Sequence, residues 1–235
     1  MRINRTEETP EQLIFTHPGL IALNGMNETG VGVVVNTLLD LNACNDGLPV
    51  AFVVRRLIGS TDKDDILNFI QSVKHASGQN YIIGIRGEVY DFEASSNEVV
   101  RFDPNNNNGT VYHTNHPIAN KDIKDIFKKP KYKIIGLISP RFDGSYFRFR
   151  VLKKQISKSS SIDDELIESV LRSKENPKHP ICASYEDNPF GFTFGSTIMQ
   201  LTGQPLLKIT AGPPDESDYK TIGFSAQIDT LGKTN

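Results

Sequence analysis

The sequence predicts an α+β fold in a single domain covering residues 1–235. Three observations carry that expectation. Strand-like and helix-like runs come in clumps and not in strict alternation, the pattern of sheets packed on helices. Hydrophobic residues make up 37% of the chain and charged residues 23%, which permits a sizeable core and argues against wholesale disorder. No internal repeat and no clear linker breaks the chain.

The elements follow in order. Gln12 to His17 is a short strand candidate closed by Pro18-Gly19, and Leu20 to Leu23 is a second. Asn24 to Gly30 is dense in residues that bond their own backbone or tolerate left-handed conformations, so it predicts a tight turn. Val31 to Leu38 is β-branched and almost unbroken, a strand buried on both faces. Asp40 to Gly47 is loop-like, Pro49 opens a helix through Ile58, and Gly59 ends it. Ser60 or Thr61 then caps a helix from Asp62 to Ala76, with acidic residues in its first turn and Ile66, Phe69, Ile70 and Val73 as its buried stripe. Asn80–Arg86, Glu88–Ser95 and Glu98–Phe102 are strands, the first two joined tightly at Gly87. Asp103 to Gly109 is a polar turn and Thr110–Thr114 a further strand. Ala119 to Tyr132 is a lysine-rich surface excursion, and Lys133–Ser139 a short strand. Ser145–Ile156 is a helix with Phe147, Val151 and Leu152 inward, and a second helix runs from Ser161 to Ser173. Pro180–Ser184, Phe192–Leu201 and Leu206–Ala211 complete the strands.

Composition narrows the function classes. A net charge of −2 without local bias gives no support for a nucleic-acid or membrane-surface partner. The polar N-terminus, MRINRTEETPEQL, lacks the apolar segment of a signal peptide, and no apolar run is long enough to span a bilayer. Cys44 and Cys182 are far apart, with no CxxC, so neither a disulfide framework nor a zinc site is indicated and a reducing, cytoplasmic setting fits.

Three polar features stand at element ends. Asn36 is the one amide in the apolar run from Val31 to Leu38. Buried there, it must find a hydrogen-bond partner or cost roughly 1–3 kcal/mol; it either ties a loop to the strand end or donates its NH₂ to a substrate oxygen. His113-Thr114-Asn115-His116 closes a strand, where Asn115 is an oxyanion donor by type. Two histidines at that spacing, without a third ligand, do not make a metal site and read as structural. Arg148, in Ser145-Tyr146-Phe147-Arg148-Phe149-Arg150, either holds a carboxylate or lies over the core.

Taken together and in order, these motifs resemble the acyl-coenzyme A:isopenicillin acyltransferase family of N-terminal-nucleophile hydrolases. The likeness covers Ile14 to about Pro214. Its marks are NGMNETGVGVVVN, the Phe52–Leu57 segment, a strand pair ending in Glu93, HTNH, SYFR, Ile181-Cys182 before TFGSTIMQL, and TGQP. The HTNH sequence points to the acyltransferase branch more than to the bile-salt and penicillin V hydrolase branch. The resemblance implies a four-layer αββα sandwich. It also implies acyl transfer or hydrolysis at an amide or thioester of a small acylated molecule, with no cofactor beyond an acyl-CoA donor. By the same resemblance Asn36 and Asn115 stand near the developing oxyanion, and Arg148 positions the nucleophile and its carboxylate partner, with Arg150 the fallback if the helix register slips.

One departure shapes the expectation. The family's N-terminal cysteine and the aspartate-bearing segment behind it lie upstream of the aligned region, so the sandwich is expected to be incomplete at the N-terminus and the chain inactive alone. Cys44 lies on the wrong side of the Asn36 strand and Cys182 reads as core. The chain is then an acyltransferase or amidase lacking a catalytic piece, a catalytically dead ligand-binding relative, or one half of an assembly with a separate N-terminal segment. Unpaired edges left by missing strands predict aggregation or homo-oligomers.

Overall fold

The computed structural model describes residues 1–103, 109–128, 140–186 and 191–225. Ten strands form two antiparallel sheets among these residues. The larger carries seven strands in chain order: β1 (Arg2–Ile3), β2 (Gln12–Phe15), β3 (Asn24–Asn27), β4 (Val31–Thr37), β5 (Gln79–Ile85), β6 (Glu88–Ala94) and β7 (Val99–Arg101). The smaller has the order β10-β9-β8, from β8 (Thr197–Gln200), β9 (Leu206–Ile209) and β10 (Lys220–Gly223).

Strand register assigns each face of the large sheet. Val31, Val33, Ile83, Tyr81 and Phe92 fall on one face, because side chains at paired positions point the same way. That face packs on α1 (Val50–Ile58) and α2 (Lys63–Ser72) through Val53, Val54, Leu57, Ile66 and Ile70, the main core. The other face carries Leu13 and Met26, which pack on Leu207 of the small sheet and on Phe224, the residue after β10. Beyond the small sheet lies α5 (Asp164–Leu171), whose Asp164 and Glu168 pair with Lys208 of β9. The layers are therefore helix, sheet, sheet, helix. Two further helices complete the path: the single turn α3 (Asp125–Lys128), and the long α4 (Pro140–Lys158), which contacts α5.

Glycine sets how closely the sheets approach. Gly30 turns β3 into β4 at φ +85°, where a side chain is strained, and a Cβ on Gly84 would collide with Leu201, which lies over the large sheet at that point.

The expected helices and the strands from β4 to β7 are present, with shifted ends. Asp62 caps α2 through Asp65 N, in place of Ser60 or Thr61, and α2 stops at Ser72. Several expectations are corrected. Leu20–Leu23 is not a strand; the strand is Asn24–Asn27, in what reads as a turn, and the turn itself shrinks to residues 28–30. The cause is Asn27, fully buried, whose Oδ1 accepts from Thr29 N, Thr29 Oγ1 and Val31 N. Its Nδ2 donates to Ile58 O and Ser60 O at the end of α1. Thr110–Thr114 and Pro180–Ser184 are not strands, and the strand expected over Phe192–Leu201 keeps only Thr197–Gln200. β1 and β10 were not expected. The Lys133–Ser139 strand lies outside the described residues. In α4 the inward stripe is Ser145, Arg148 and Val151 and not Phe147, which is exposed and stacks on His179 at 4.9 Å.

Candidate active site

Residues from three distant segments meet where β4 ends. Asn36 stands on the inner face of β4, paired with Asn80 on β5, which is paired in turn with Glu93 on β6. Asn115 reaches the same strand end from the loop after β7: its Nδ2 donates to Thr37 O at 3.3 Å. Arg148 of α4 donates from Nη2 to Asn115 Oδ1 at 2.9 Å. These two bonds fix which way the Asn115 amide faces, since its oxygen is held by a donor and its nitrogen by an acceptor. Among the described residues one N–H of Asn115 has no acceptor, and the residue is exposed.

Asn36 corrects an expectation. It is half-buried and, among the described residues, its side chain has no hydrogen-bond partner. β4 is enclosed on both faces only over Val31–Val33; from Val34 to Asn36 it is half-exposed, so water or a ligand can satisfy the amide. Arg148 is lowered from the ordinary arginine value by burial, and no carboxylate among the described residues neutralises it. Arg150 is exposed and lies against the Phe147 ring, so the fallback register is not used.

The loop that presents Asn115 is pinned by Glu93, which sequence reading used only as a marker of the strand pair. Its carboxylate accepts from His113 Nε2 at 2.7 Å, Ile118 N at 2.7 Å, Ala119 N at 3.0 Å and Asn120 N at 2.7 Å. Burial alone would raise Glu93; His113 and the amides of Asn120 and Ile118 outweigh it and hold the group below the usual carboxylate range. Both ring nitrogens of His113 face oxygen acceptors, the second being Thr114 O. His116 Nδ1 lies 2.8 Å from Ser145 Oγ, and burial, with the nearby charges of His113 and Arg148, pushes His116 down to about 4, so it is neutral near pH 7. HTNH is therefore a structural clasp around one presented residue, Asn115.

Two further side chains were missed. Asn80 and Asp91 are fully buried on the inner face of β5 and β6, joined by a hydrogen bond from Asn80 Nδ2 to Asp91 Oδ1. Among the described residues Asn80 Oδ1 and Asp91 Oδ2 have no partner. The signal was available: Val89, Asp91 and Glu93 alternate along β6, which puts both acids on one face. Burial raises Asp91 from 3.8 to about 6. The folded state then keeps a proton that the unfolded state releases, so stability falls as pH rises through about 4 to 6 and the full penalty, about 3 kcal/mol, applies above that window. An Asp91→Asn chain should be more stable than the parent near pH 7, by up to about 3 kcal/mol, and closely matched near pH 4. Its amide can also donate to Asn80 Oδ1. Urea unfolding at the two pH values measures this; equal stabilities at neutral pH would contradict the buried, proton-holding acid.

Neither thiol lies at this site. Cys182 Sγ donates to Asp215 Oδ1 at 2.9 Å, and burial, then Asp215, pushes the thiol up to about 11. Cys44 Sγ donates to the carbonyl of His75, a residue whose ring packs on Tyr81 on the helix-covered face of the large sheet. Among the described residues no cluster of His, Cys, Asp and Glu could hold a metal ion, and no helix is long and apolar enough to cross a membrane.

No curated protein matches the chain. Among solved structures the chain is similar to a mutant conjugated bile acid hydrolase from Clostridium perfringens, at 13% identity and a TM-score of 0.50, over 92% of this chain and 82% of that one. That likeness concerns the fold, and it agrees with the layer order above: the fold is that of the N-terminal-nucleophile hydrolases. The sequence model of acyl-coenzyme A:6-aminopenicillanic acid acyl-transferase matches residues 14–212. With most of its length inside that match, the chain belongs to the acyl-coenzyme A:6-aminopenicillanic acid acyl-transferase family.

Proposed function

We propose that this chain supplies the oxyanion-binding half of an acyl-transfer or amide-hydrolysis site, and that the attacking thiol is neither of its two cysteines. The observation that carries this is the convergence of Asn36, Asn115 and Arg148 on one strand end, with both thiols bonded elsewhere. Two neutral amides with free N–H groups suit an oxygen that becomes negative as a carbonyl turns tetrahedral. A thiolate adds to the acyl carbon, the carbon–nitrogen bond breaks as the amine takes a proton, and the thioester passes its acyl group to water or to another amine. Arg148 holds Asn115 in orientation. The substrate is a small acylated molecule, and an acyl-CoA thioester is a chemically equivalent donor.

The chain alone is then inactive, and a small aminothiol should restore what it lacks. With a chromogenic acyl anilide, the purified chain is expected to show no turnover above buffer, whereas added cysteamine should give hydrolysis that saturates in cysteamine. Replacing Cys44 and Cys182 by serine should leave that rate unchanged. Turnover without thiol, lost on changing either cysteine, would overturn the assignment. A rate merely linear in cysteamine and equal to that of free cysteamine would leave the chain as a ligand-binding relative without catalysis.

A further inference from the structure

We propose that a proton held on Asp91 fixes the Asn80 amide and so leaves the Asn36 amide free for the oxyanion, and that losing this proton weakens the site. The inference rests on the acyl-transfer reading above and adds a control to it. Asp91 touches no substrate; it is a positioning residue that acts through Asn80.

Asn36, Asn80 and Glu93 lie side by side across β4, β5 and β6, and Asp91 stands two residues back along the same face of β6. Both N–H groups of Asn80 are spent, one on Asp91 Oδ1 and one on Phe92 O at 3.4 Å. Asn80 Oδ1 and Asp91 Oδ2 are left without a donor among the described residues. Both side chains are fully buried, so bulk water does not reach these atoms. Two bare acceptors cannot satisfy one another. A proton on Asp91 Oδ2 answers both: the acid O–H donates to Asn80 Oδ1 while the Asn80 N–H donates to Asp91 Oδ1, the paired ring of an acid and an amide. Burial favours the same protonated form and raises Asp91 from 3.8 to about 6. Of the groups that face it, His113 and the Asn80 bond favour the anion, whereas Glu93 and Asp103 oppose it.

The competing donor for Asn80 Oδ1 is Asn36. The two are direct cross-strand partners on one face, a separation of about 4.5–5.5 Å between Cβ atoms. Asn36 makes no side-chain hydrogen bond among the described residues, so while the acid keeps its proton the N–H groups of Asn36 remain available to a ligand. When Asp91 ionises, Asn80 Oδ1 loses its donor and the Asn36 amide turns inward to supply one. The same ionisation puts a negative charge beneath the site. Glu93 adds no comparable field, because His113 and three backbone amides meet its charge. Neighbouring strands lie about 4.8 Å apart, so the Asp91 charge falls on the order of 10 Å from an oxygen held by Asn36. At an effective dielectric constant of about 20, repulsion over that span slows formation of an oxyanion roughly tenfold.

The test compares the full chain with Asp91→Asn, whose amide keeps the ring to Asn80 and cannot ionise. With a chromogenic acyl anilide and saturating cysteamine, the two rates should agree near pH 5, and by about pH 7.5 the variant should be at least about tenfold faster. Taking the ratio of the two chains at each pH cancels every titration they share, that of cysteamine included, and a merely structural role for Asp91 would leave the ratio flat. Carbon-13 NMR of the Asp91 carboxyl, assigned by its loss in Asp91→Asn, should show it titrating at about 6. A flat ratio, or a carboxyl that titrates at the ordinary aspartate value, would overturn the proposal and leave the acyl-transfer reading standing. Cysteamine-dependent turnover missing from both chains at every pH would overturn the two together.

Discussion

Replacing Glu93 with alanine is expected to cost about 4 kcal/mol of stability and roughly 10 °C of melting temperature, one of the largest single effects in the chain. Four donors converge on that carboxylate: the His113 ring and the amides of Ile118, Ala119 and Asn120. The side chains of Glu93 and His113 are both closed to solvent. Alanine would leave three backbone N–H groups and the Nε2 of His113 without an acceptor, each costing about 1–3 kcal/mol if it stays buried. The sum overshoots because the loop can open and admit water, so the loss should stop near the cost of breaking a buried pair. Glu93→Gln separates charge from shape: it keeps the volume, but its NH₂ opposes one set of donors, and a loss nearer about 3 kcal/mol is expected. Urea unfolding gives the values, and native-state hydrogen exchange should show residues 113–120 opening first. A Glu93→Ala chain within about 1 kcal/mol of the parent would mean that the carboxylate does not anchor the loop.

That anchoring explains why the site was only partly legible beforehand. Periodicity exposed α1, α2 and the strands from β4 to β7, because each buries a continuous apolar face whose spacing is written in the chain. β3 hid because Asn24-Gly25-Met26-Asn27 has the composition of a turn; only tertiary bonds from Asn27 to the end of α1 make it a strand. β10 hid because Lys-Thr-Ile-Gly is short, ends in glycine and owes its pairing to β9. In α4, Phe147 outweighed Arg148 as an inward residue, yet the phenyl ring finds His179 at the surface and the guanidinium finds Asn115. Asn115 bonds a residue 78 positions away and Arg148 one 33 positions away, separations that local patterning cannot join. The order of motifs along the family pattern joined them. Asn80 and Asp91 lie outside those motifs, and only the alternation of Asp91 with Glu93 along β6 marked the acid as facing inward.

Removing the free N–H of Asn115 should be the most damaging change to chemistry that leaves the fold intact. With cysteamine as nucleophile, Asn115→Ala is expected to lower the saturated rate about 100- to 1000-fold, the usual consequence of losing one preorganised oxyanion donor. Stability should change little, because the side chain is exposed and gives up one bond to Thr37 O and one from Arg148. Asn115→Asp is the sharper probe. It preserves shape and gains an ion pair with Arg148, yet it presents an acceptor and a negative charge to an oxygen turning negative, so its rate should fall at least as far as that of alanine. Asn36→Ala should produce a comparable loss, since that amide spends no bond on the described residues and its N–H groups are available to a ligand. If both asparagines serve one oxyanion, the double variant should lose less than the product of the two single effects, since a tetrahedral oxygen already short of one donor gains less from the other. Full multiplicativity would place the two amides on different atoms of the substrate. An unchanged rate in Asn115→Asp would remove the oxyanion role altogether, and with it the reason for Arg148 to hold that amide in place.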